Sequence, residues 1–178
     1  LAYYIATNSK RVLVIDADPR RPSLHTLTGV EVSPGFTDIL NGHTQLQESK
    51  FRDKFDMVDI IPAGSNSSMT PDLLTSVLCD ELMAHLKQQY DYILIDSPPV
   101  LALSDAGALA SLADETMLLA EWAKTSKKKV GYSMRVLEEV SDPILGVLLT
   151  KVNVAKYALY DQGDSGIYYG LNAKYYTE

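Results

Sequence analysis

The sequence predicts an open, doubly wound α/β fold, in which a mainly parallel sheet carries helices on both faces. Five short apolar runs occur along the chain, and none of them alternates cleanly between apolar and polar positions. Segments with a helical spacing of apolar residues separate these runs. The length of 178 residues, with 46% hydrophobic and 22% charged residues, is typical of one globular domain.

The five apolar runs are the predicted strands. Residues 12–15, 58–61 and 92–95 form the first three, which end at Asp16, at Pro62-Ala63-Gly64 and at Asp96, respectively. Residues 116–120 and 144–149 form the fourth and fifth. Continuous apolar runs are typical of strands buried on both faces, as strands of parallel sheets are. Because helices alternate with these strands, we expect a parallel order with right-handed crossovers.

Four segments are predicted to be helical. Residues 1–6 have the pattern of the end of a helix, and residues 104–112 form a helix of small residues. A further helix begins at Thr70-Pro71-Asp72, because threonine caps helices and proline suits their first turn. Its apolar stripe is Leu74, Val77, Leu78, Leu82 and Leu86. The last helix is capped by Thr125 or Ser126, and its stripe is Val130, Met134, Leu137 and Val140.

Charge and composition exclude several classes of function. The formal net charge of -7 argues against a nucleic-acid partner bound through a basic surface. Cys79 is the only cysteine, so no intrachain disulfide forms. The three histidines are far apart and lack a cysteine at zinc-ligand spacing, and no apolar run approaches the length of about 20 residues that spans a bilayer.

Aspartates follow two of the predicted strands at the point where each strand ends. Asp16 and Asp18 come after the first strand, and Asp96 comes after the third. Ligands of open parallel sheets bind at the carboxyl ends of the strands, and carboxylates bind Mg²⁺ there together with phosphate oxygens. An aspartate after a strand also commonly caps the next turn, which explains either site alone equally well. Together, the two sites predict a phosphate and magnesium site.

Longer segments around these aspartates resemble one protein family. Residues 12–23 combine the first strand with Asp-x-Asp and Arg-Arg-Pro, and they resemble the second Walker A motif of bacterial tyrosine kinases. Residues 90–99 resemble the Walker B motif of that family, and residues 34–42 and 62–64 match its spacers. The resemblance implies a P-loop NTPase-like fold and the kinase domain of a polysaccharide export or co-polymerase protein. The two aspartate motifs alone also suit partitioning and division-site ATPases.

The resemblance implies roles for individual residues. ATP and Mg²⁺ would be the cofactors, with Asp16, Asp18 and Asp96 as catalytic residues and magnesium ligands, and Asp16 making the base-like contact. Asn153 would contact the nucleotide, or it simply ends a strand. Arg20 and Arg21 would contact phosphate or a neighbouring subunit, with a solvated pair as an equal alternative. The Lys127-Lys128-Lys129 run suits a solvated helix face better than a phosphate contact.

The end of the chain is rich in tyrosine, which predicts a boundary between a nucleotide-binding domain at 1–154 and a flexible tail at 155–178. Glycine and aspartate surround these tyrosines, and such polar surroundings suit a substrate segment better than a core. The resemblance implies that they are autophosphorylated in trans. The expected phosphoacceptors are Tyr157, Tyr160, Tyr168, Tyr169, Tyr175 and Tyr176.

One motif of the family is missing from the sequence. No Gly-x-x-x-x-Gly-Lys-Ser/Thr loop occurs, although such a loop normally cradles the phosphates. We therefore expect an upstream P-loop segment in the complete domain and little catalysis by the chain as given. The implied partners are other copies of the chain, a membrane-spanning activator or fused transmembrane half, and a tyrosine phosphatase, at the inner face of the bacterial membrane. The alternatives are a partitioning-type ATPase switch and a non-catalytic assembly module.

Overall fold

The computed structural model describes residues 1–65, 70–101, 104–140, 143–154 and 156–157. The strands are β1 Val12–Asp16, β2 Phe51–Arg52, β3 Asp59–Ile61, β4 Tyr92–Asp96, β5 Thr116–Glu121 and β6 Ile144–Thr150. The helices are α1 Ala2–Ala6, α2 Leu24–Thr28, α3 Phe36–Leu40, α4 Pro71–Leu74, α5 Val77–Gln89, α6 Asp105–Leu112 and α7 Lys127–Glu138, with a 3₁₀ turn at Leu46–Glu48.

The strands form two sheets. The first has the order β2-β3-β1-β4, in which β1 is parallel to both of its neighbours and the short β2 is antiparallel to β3. The second consists of β5 and β6, which are parallel to each other. The predicted parallel α/β fold is therefore confirmed, and all five predicted strands are present. The sequence did not predict β2, because a two-residue strand carries no periodicity.

Each face of the first sheet packs against helices. Leu13 and Ile15 of β1 point to a core shared with Leu82 and Leu86 of α5. Val12, the residue before Leu13, belongs to a second core, against which Ile5 and Ala6 of α1 pack. Alternate residues of β1 thus serve opposite faces, and both faces are apolar. This arrangement explains why the run in the sequence does not alternate.

The helix predicted from residue 70 onward is two helices. The Ser76 hydroxyl donates to the Leu73 carbonyl at the end of α4 (2.7 Å) and accepts from the Cys79 amide at the start of α5 (3.2 Å). The extended backbone conformation of Ser76 interrupts the helix at this residue. Its hydroxyl then contacts the end of α4 and caps the start of α5. The apolar face shifts accordingly: Val77 is 72% exposed, whereas Cys79 is buried. The predicted stripe is therefore wrong at Val77 and Leu78.

The last predicted helix is confirmed as α7, with Ser126 as its cap. The Ser126 hydroxyl accepts from the Lys129 amide (3.3 Å), whereas the Thr125 hydroxyl accepts from the Glu121 amide. Val140 lies beyond the helix end and is exposed, so it does not extend the stripe. None of the helices in the described part of the chain is long and apolar enough to cross a membrane.

The second sheet exposes many apolar side chains. Leu119 of β5 and Leu145 of β6 are 59% and 56% exposed, respectively. Strands of parallel sheets are ordinarily covered on both faces, so this exposure is unusual. The first sheet also ends at β4, which has β1 on one side and pairs with no other described strand. Within the described part of the chain, the outer edge of β4 and the apolar surface of the second sheet are therefore uncovered.

Candidate nucleotide-binding site

The predicted aspartates meet at one edge of the first sheet. Asp16 and Asp96 are the last residues of β1 and β4, and they are register partners in the parallel ladder. The Ala17 amide continues this ladder by donating to the Asp96 carbonyl at 2.8 Å. The two carboxylates therefore lie side by side where the chain leaves the sheet. Proximity of these two residues was expected from the parallel order of their strands.

The carboxylate of Asp16 organises the loop that follows β1. Asp16 is buried, and its oxygens accept from the backbone amides of Asp18 (3.1 Å), Ser23 (3.0 Å) and Leu24 (3.1 Å). A carboxylate has about four lone-pair positions, so little of its hydrogen-bonding capacity remains. The turn-capping role considered for this aspartate is therefore present. Any catalytic contact would have to use the remaining position.

Asp18 occupies the turn that Asp16 stabilises. Its side chain is half-buried, and one carboxylate oxygen accepts from the Arg21 amide at 3.1 Å. The second oxygen accepts no hydrogen bond in the described part of the chain. Asp18 thus retains more free capacity for a ligand than Asp16 does.

Asp96 has an electrostatic environment that suits a bound cation. Burial raises the pKa of its carboxyl above the ordinary value, and the charges of Asp16 and Asp18 raise it further. A hydrogen bond from Ser23 opposes these effects without cancelling them. Negative charge is therefore concentrated here without a positive partner, which a cation would neutralise.

A magnesium ion would need further ligands. Within the described residues, no three His, Cys, Asp or Glu side chains are arranged to hold a metal ion by themselves. Carboxylate oxygens nevertheless match the preference of Mg²⁺, which usually binds one or two carboxylates, several waters and substrate phosphates. The donor set thus fits a magnesium ion that arrives with a phosphate ligand.

The loop after β3 lies at the same edge and is held by α3. The amides of Phe36 and Thr37 donate to the carbonyls of Pro62 (2.7 Å) and Ala63 (3.0 Å). Gly35 permits this close approach, because a Cβ atom there would collide with the Pro62 carbonyl and the Gly64 amide. The Pro-Gly spacer in the sequence therefore serves to dock one loop onto another.

Asp38 secures this contact, although the sequence did not single it out. Its buried carboxylate accepts from the Gly35 amide (3.0 Å), the Ser65 amide (3.0 Å) and the Ser65 hydroxyl (2.7 Å). Burial alone would raise its pKa, but the hydrogen bonds from Ser65 and Gly35 outweigh burial and hold the pKa below its ordinary value. The sequence does contain one signal for this role: Asp38 is three residues after Gly35, the position at which an acidic side chain commonly accepts from the backbone amide at the start of a helix.

Arg20 forms an ion pair across the site. Its guanidinium lies 3.1 Å from the carboxylate of Asp105, which is almost completely buried at the start of α6. The sequence predicted nucleotide binding for Arg20 and assigned no role to Asp105. The nucleotide contact stays a prediction, whereas the ion pair connects the loop after β1 to α6.

The remaining predicted residues lie elsewhere. Asn153 follows β6, and its side-chain oxygen accepts from the Lys156 amide (3.0 Å), which caps a short turn. Lys127, Lys128 and Lys129 are exposed at the start of α7. Tyr157 is the one predicted phosphoacceptor among the described residues. The predictions for Tyr160, Tyr168, Tyr169, Tyr175 and Tyr176 concern residues outside the described ones.

The fold and the acidic edge together define an α/β domain of the P-loop NTPase class. The family described as AAA domain matches residues 1–144 of the chain. The kinase domain of the Escherichia coli tyrosine kinase ETK superimposes with a TM-score of 0.79 at 31% identity, covering 84% of this chain and 59% of that one. The VpsO kinase domain superimposes with a TM-score of 0.77 at 33% identity, covering 85% of this chain and 75% of that one.

Curated relatives agree with the solved structures. The tyrosine-protein kinase ptk of Acinetobacter johnsonii is 30% identical over 152 residues, which are 85% of this chain and 21% of the relative. The succinoglycan biosynthesis transport protein ExoP of Rhizobium meliloti is 28% identical over 181 residues, which cover 99% of this chain and 23% of the relative. The chain thus spans about a fifth of the length of these relatives. It belongs to the family of bacterial tyrosine kinase domains.

Proposed function

We propose that the chain is part of an ATP-dependent protein-tyrosine autokinase domain that phosphorylates C-terminal tyrosines in trans and regulates capsular or exopolysaccharide synthesis and export. The observation that carries the proposal is the pairing of Asp16 and Asp96 at the edge of the sheet. The names of the relatives support the activity, and the name of ExoP supports the link to a polysaccharide.

The free hydrogen-bonding capacity of each aspartate suggests a division of roles. Asp18 and Asp96 would hold magnesium, which supplies positive charge against the phosphates during transfer. Asp16 would orient the loop after β1 through its three backbone contacts and keep one position for the acceptor hydroxyl. Asn153 would contact the base of the nucleotide. Arg20 would hold the same loop through Asp105 and contact the nucleotide only if this ion pair opens.

The phosphate-binding loop would come from a segment with the P-loop motif, which these 178 residues do not contain. We propose that its strand pairs with the open edge of β4 and covers part of the second sheet. The open edge of β4 and the exposed apolar residues of β5 and β6 support this position. The glycine amides and the lysine of the loop would then lie next to Asp96.

The assembly would bring a tail from one copy into the site of another. Partners would be further copies of the chain, a membrane-spanning half that is fused or separate, and a tyrosine phosphatase. This arrangement would put the domain at the inner face of the bacterial membrane. Each phosphate adds about -1.5 to -2 charges to the tail, so phosphorylation would weaken association between copies.

Autophosphorylation of the full-length protein, including its P-loop segment, tests the proposal. With Mg-ATP, mass spectrometry should find phosphotyrosine between Tyr157 and Tyr176. Asp96→Asn should lower the rate by about 100-fold or more, because a negatively charged ligand is lost from the magnesium site. The fold should persist, since a neutral side chain relieves repulsion from Asp16 and Asp18.

The matched control is Asp72→Asn, which removes one exposed carboxylate from the first turn of α4. It should leave the rate unchanged. Unmodified tyrosines in the presence of ATP hydrolysis would contradict the kinase and favour a partitioning-type switch. Absence of both activities would favour a non-catalytic assembly module.

A further inference from the structure

A second concave site lies at the opposite end of the first sheet. This cleft has a volume of about 370 Å³, and Val12 and Asp59, the first residues of β1 and β3, contribute to its lining. Asp16 is the last residue of β1, so the two sites are about 13 Å apart along the strand. The cleft therefore does not belong to the acidic edge described above.

The lining of the cleft is rich in positive charge, although the protein has a net charge of -7. We call it the basic cleft, after the four cationic residues that line it, Lys10, Arg11, Lys50 and Arg52. Among the described residues of the lining, Asp59 is the only acidic one. The excess of positive charge is local, because the whole chain has 23 acidic and only 16 basic residues.

Both arginines pair with carboxylates, Arg11 with one and Arg52 with two. Arg11 binds Asp91 through its side chain (3.0 Å) and its backbone amide (2.8 Å). Arg52 bridges Asp56 (2.9 Å) and Asp59 (2.8 Å). These pairs fix the two guanidinium groups at the walls of the cleft. The remaining positive charges of the lining are the ammonium groups of Lys10 and Lys50.

Lys10 and Lys50 form no ion pair within the described part of the chain. The ammonium group of Lys50 lies 5.7 Å from the centre of the Tyr90 ring, and Lys10 is exposed. Helix α5 ends beside the cleft at Gln89, and its last carbonyls attract cations with about half an elementary charge. The two carboxylates paired with Arg52 add one further negative charge, so about -1.5 charges stand against the +2 of the two ammonium groups. A net positive potential remains in the basic cleft.

Part of the lining of the basic cleft is aromatic or apolar, beside the polar side chains of Ser9 and Gln89. Tyr90 is buried, and its hydroxyl donates to Asp59, which orients the ring. Burial and the neighbouring Asp59 raise the pKa of Tyr90, so this side chain adds no negative charge. The half-buried Met57 supplies further apolar surface. The site thus combines free ammonium groups with a surface on which a flat ring can pack.

We propose that the basic cleft binds a phosphotyrosine side chain, with the phosphate on Lys10 and Lys50 and the ring against Met57 and Tyr90. The inference rests on the proposed function for the source of the ligand, since the tyrosine-rich segment after Tyr157 would carry the phosphate. Lysine is a common phosphate ligand, and the volume suits an aryl phosphate. A phosphorylated tail would thereby dock at the end of the sheet remote from the aspartates.

Titration of the isotopically labelled chain with O-phospho-L-tyrosine, followed by the NMR shifts of its backbone amides, tests the proposal. The amides of Lys10, Lys50 and Tyr90 should shift together. O-phospho-L-serine should bind about tenfold more weakly, because it lacks the ring. Inorganic phosphate serves as the probe for the anion alone and should also bind more weakly than phosphotyrosine.

Two double variants separate the basic cleft from general charge effects. Lys10→Gln/Lys50→Gln should weaken phosphotyrosine binding by about tenfold or more. Lys127→Gln/Lys128→Gln removes the same charge at the exposed start of α7 and should leave the affinity unchanged. Lys10→Gln alone, at an exposed position, should give a smaller loss and keeps the test valid if the double variant unfolds.

Three outcomes would overturn the proposal. They are no amide shifts at the cleft, equal losses in the two double variants, and equal affinities for phosphotyrosine and phosphoserine. The ligand is already phosphorylated and no ATP is present, so failure of the kinase proposal would leave these results unaffected. An unphosphorylated peptide of residues 165–172 should not bind, whereas the same peptide phosphorylated at Tyr168 should.

Discussion

Asp38 shows how a single buried carboxylate can hold two loops together. It is 4% exposed and accepts hydrogen bonds from Gly35 on one loop and Ser65 on the other. The loop that contains Ser65 follows β3 and borders the acidic edge. The position of that loop therefore depends on the charge of a residue that makes no contact with the predicted ligands.

Asp38→Asn should lower the free energy of unfolding by about 2–3 kcal/mol at pH 7, because hydrogen bonds to a charged acceptor are lost and a buried amide loses its partner. Asp114→Asn is the matched control, since this exposed aspartate only pairs with Lys87. It should change stability by less than about 0.5 kcal/mol. Urea unfolding of the three proteins measures both effects, and equal losses would contradict the role of Asp38.

The same residue predicts a dependence of stability on pH. Burial opposes ionisation of Asp38, but its hydrogen bonds prevail, so the pKa in the folded state lies below the ordinary value. The stability that this residue contributes is complete above the unfolded pKa of about 4 and is lost as the pH falls through the lowered pKa. The difference between wild type and Asp38→Asn should accordingly shrink below about pH 4.

At the scale of secondary structure elements, Arg20 and Asp105 tie the loop after β1 to the start of α6. Asp105 is almost fully buried, whereas Arg20 is 41% exposed. Loss of the arginine would leave a buried carboxylate without its partner, but loss of the aspartate would leave an arginine that water can solvate. Loss of Arg20 should therefore lower the free energy of unfolding more than loss of Asp105 does.

We expect Arg20→Gln to lower the free energy of unfolding by about 2 kcal/mol and Asp105→Asn to lower it by less. The double variant should lose about 1 kcal/mol less than the sum of the two single losses. A double-mutant cycle by urea unfolding measures this coupling. Arg21→Gln removes a neighbouring exposed arginine that has no carboxylate partner among the described residues, and it should be nearly neutral. Strict additivity in the cycle would show that the ion pair does not stabilise the fold.

At the scale of the whole molecule, the acidic edge would meet the proposed nucleotide without the positive groups of a P-loop, a motif that these 178 residues do not contain. Burial raises the pKa of Asp96, and the negative charges of Asp16 and Asp18 raise it further. An anionic nucleotide would add to this negative charge, and magnesium alone would have to offset it. Glycine amides and a lysine normally supply the missing positive potential.

The 178-residue chain should therefore bind Mg-ATP at least about 100-fold more weakly than the same chain extended by its P-loop segment. Isothermal titration calorimetry of both proteins measures the difference. Substitution of the P-loop lysine by alanine in the extended protein is the control and should abolish most of the gain. Micromolar affinity of the 178-residue chain would mean that other groups hold the phosphates.

Much of the fold was predictable because the relevant signals are local. The five apolar runs became strands, and the continuous apolar pattern of β1 follows from a core on each face. The start of α7 at Ser126 was one of two predicted caps. The break at Ser76 was not predicted, because the same apolar spacing continues across it and only its backbone conformation ends the helix.

The candidate site was predictable only in part. Asp16 and Asp96 could be placed together, since the ends of neighbouring parallel strands coincide. The partners of Asp38 and Arg20 could not, because Ser65 lies 27 residues from Asp38 and Asp105 belongs to a different helix. Side-chain hydrogen bonds between distant segments leave no periodic pattern in a sequence.

The sequence by itself determined the class of fold, the acidic edge and the family, because apolar periodicity, strand ends and short motifs are properties of consecutive residues. The tertiary structure decided which groups are neutralised and which remain free. Arg20 forms an ion pair with Asp105, and Asp16 accepts hydrogen bonds from backbone amides. Lys10 and Lys50 come from separate segments and line the same cleft. Charge acts through space, so the balance at each site depends on which segments the fold brings within a few ångströms.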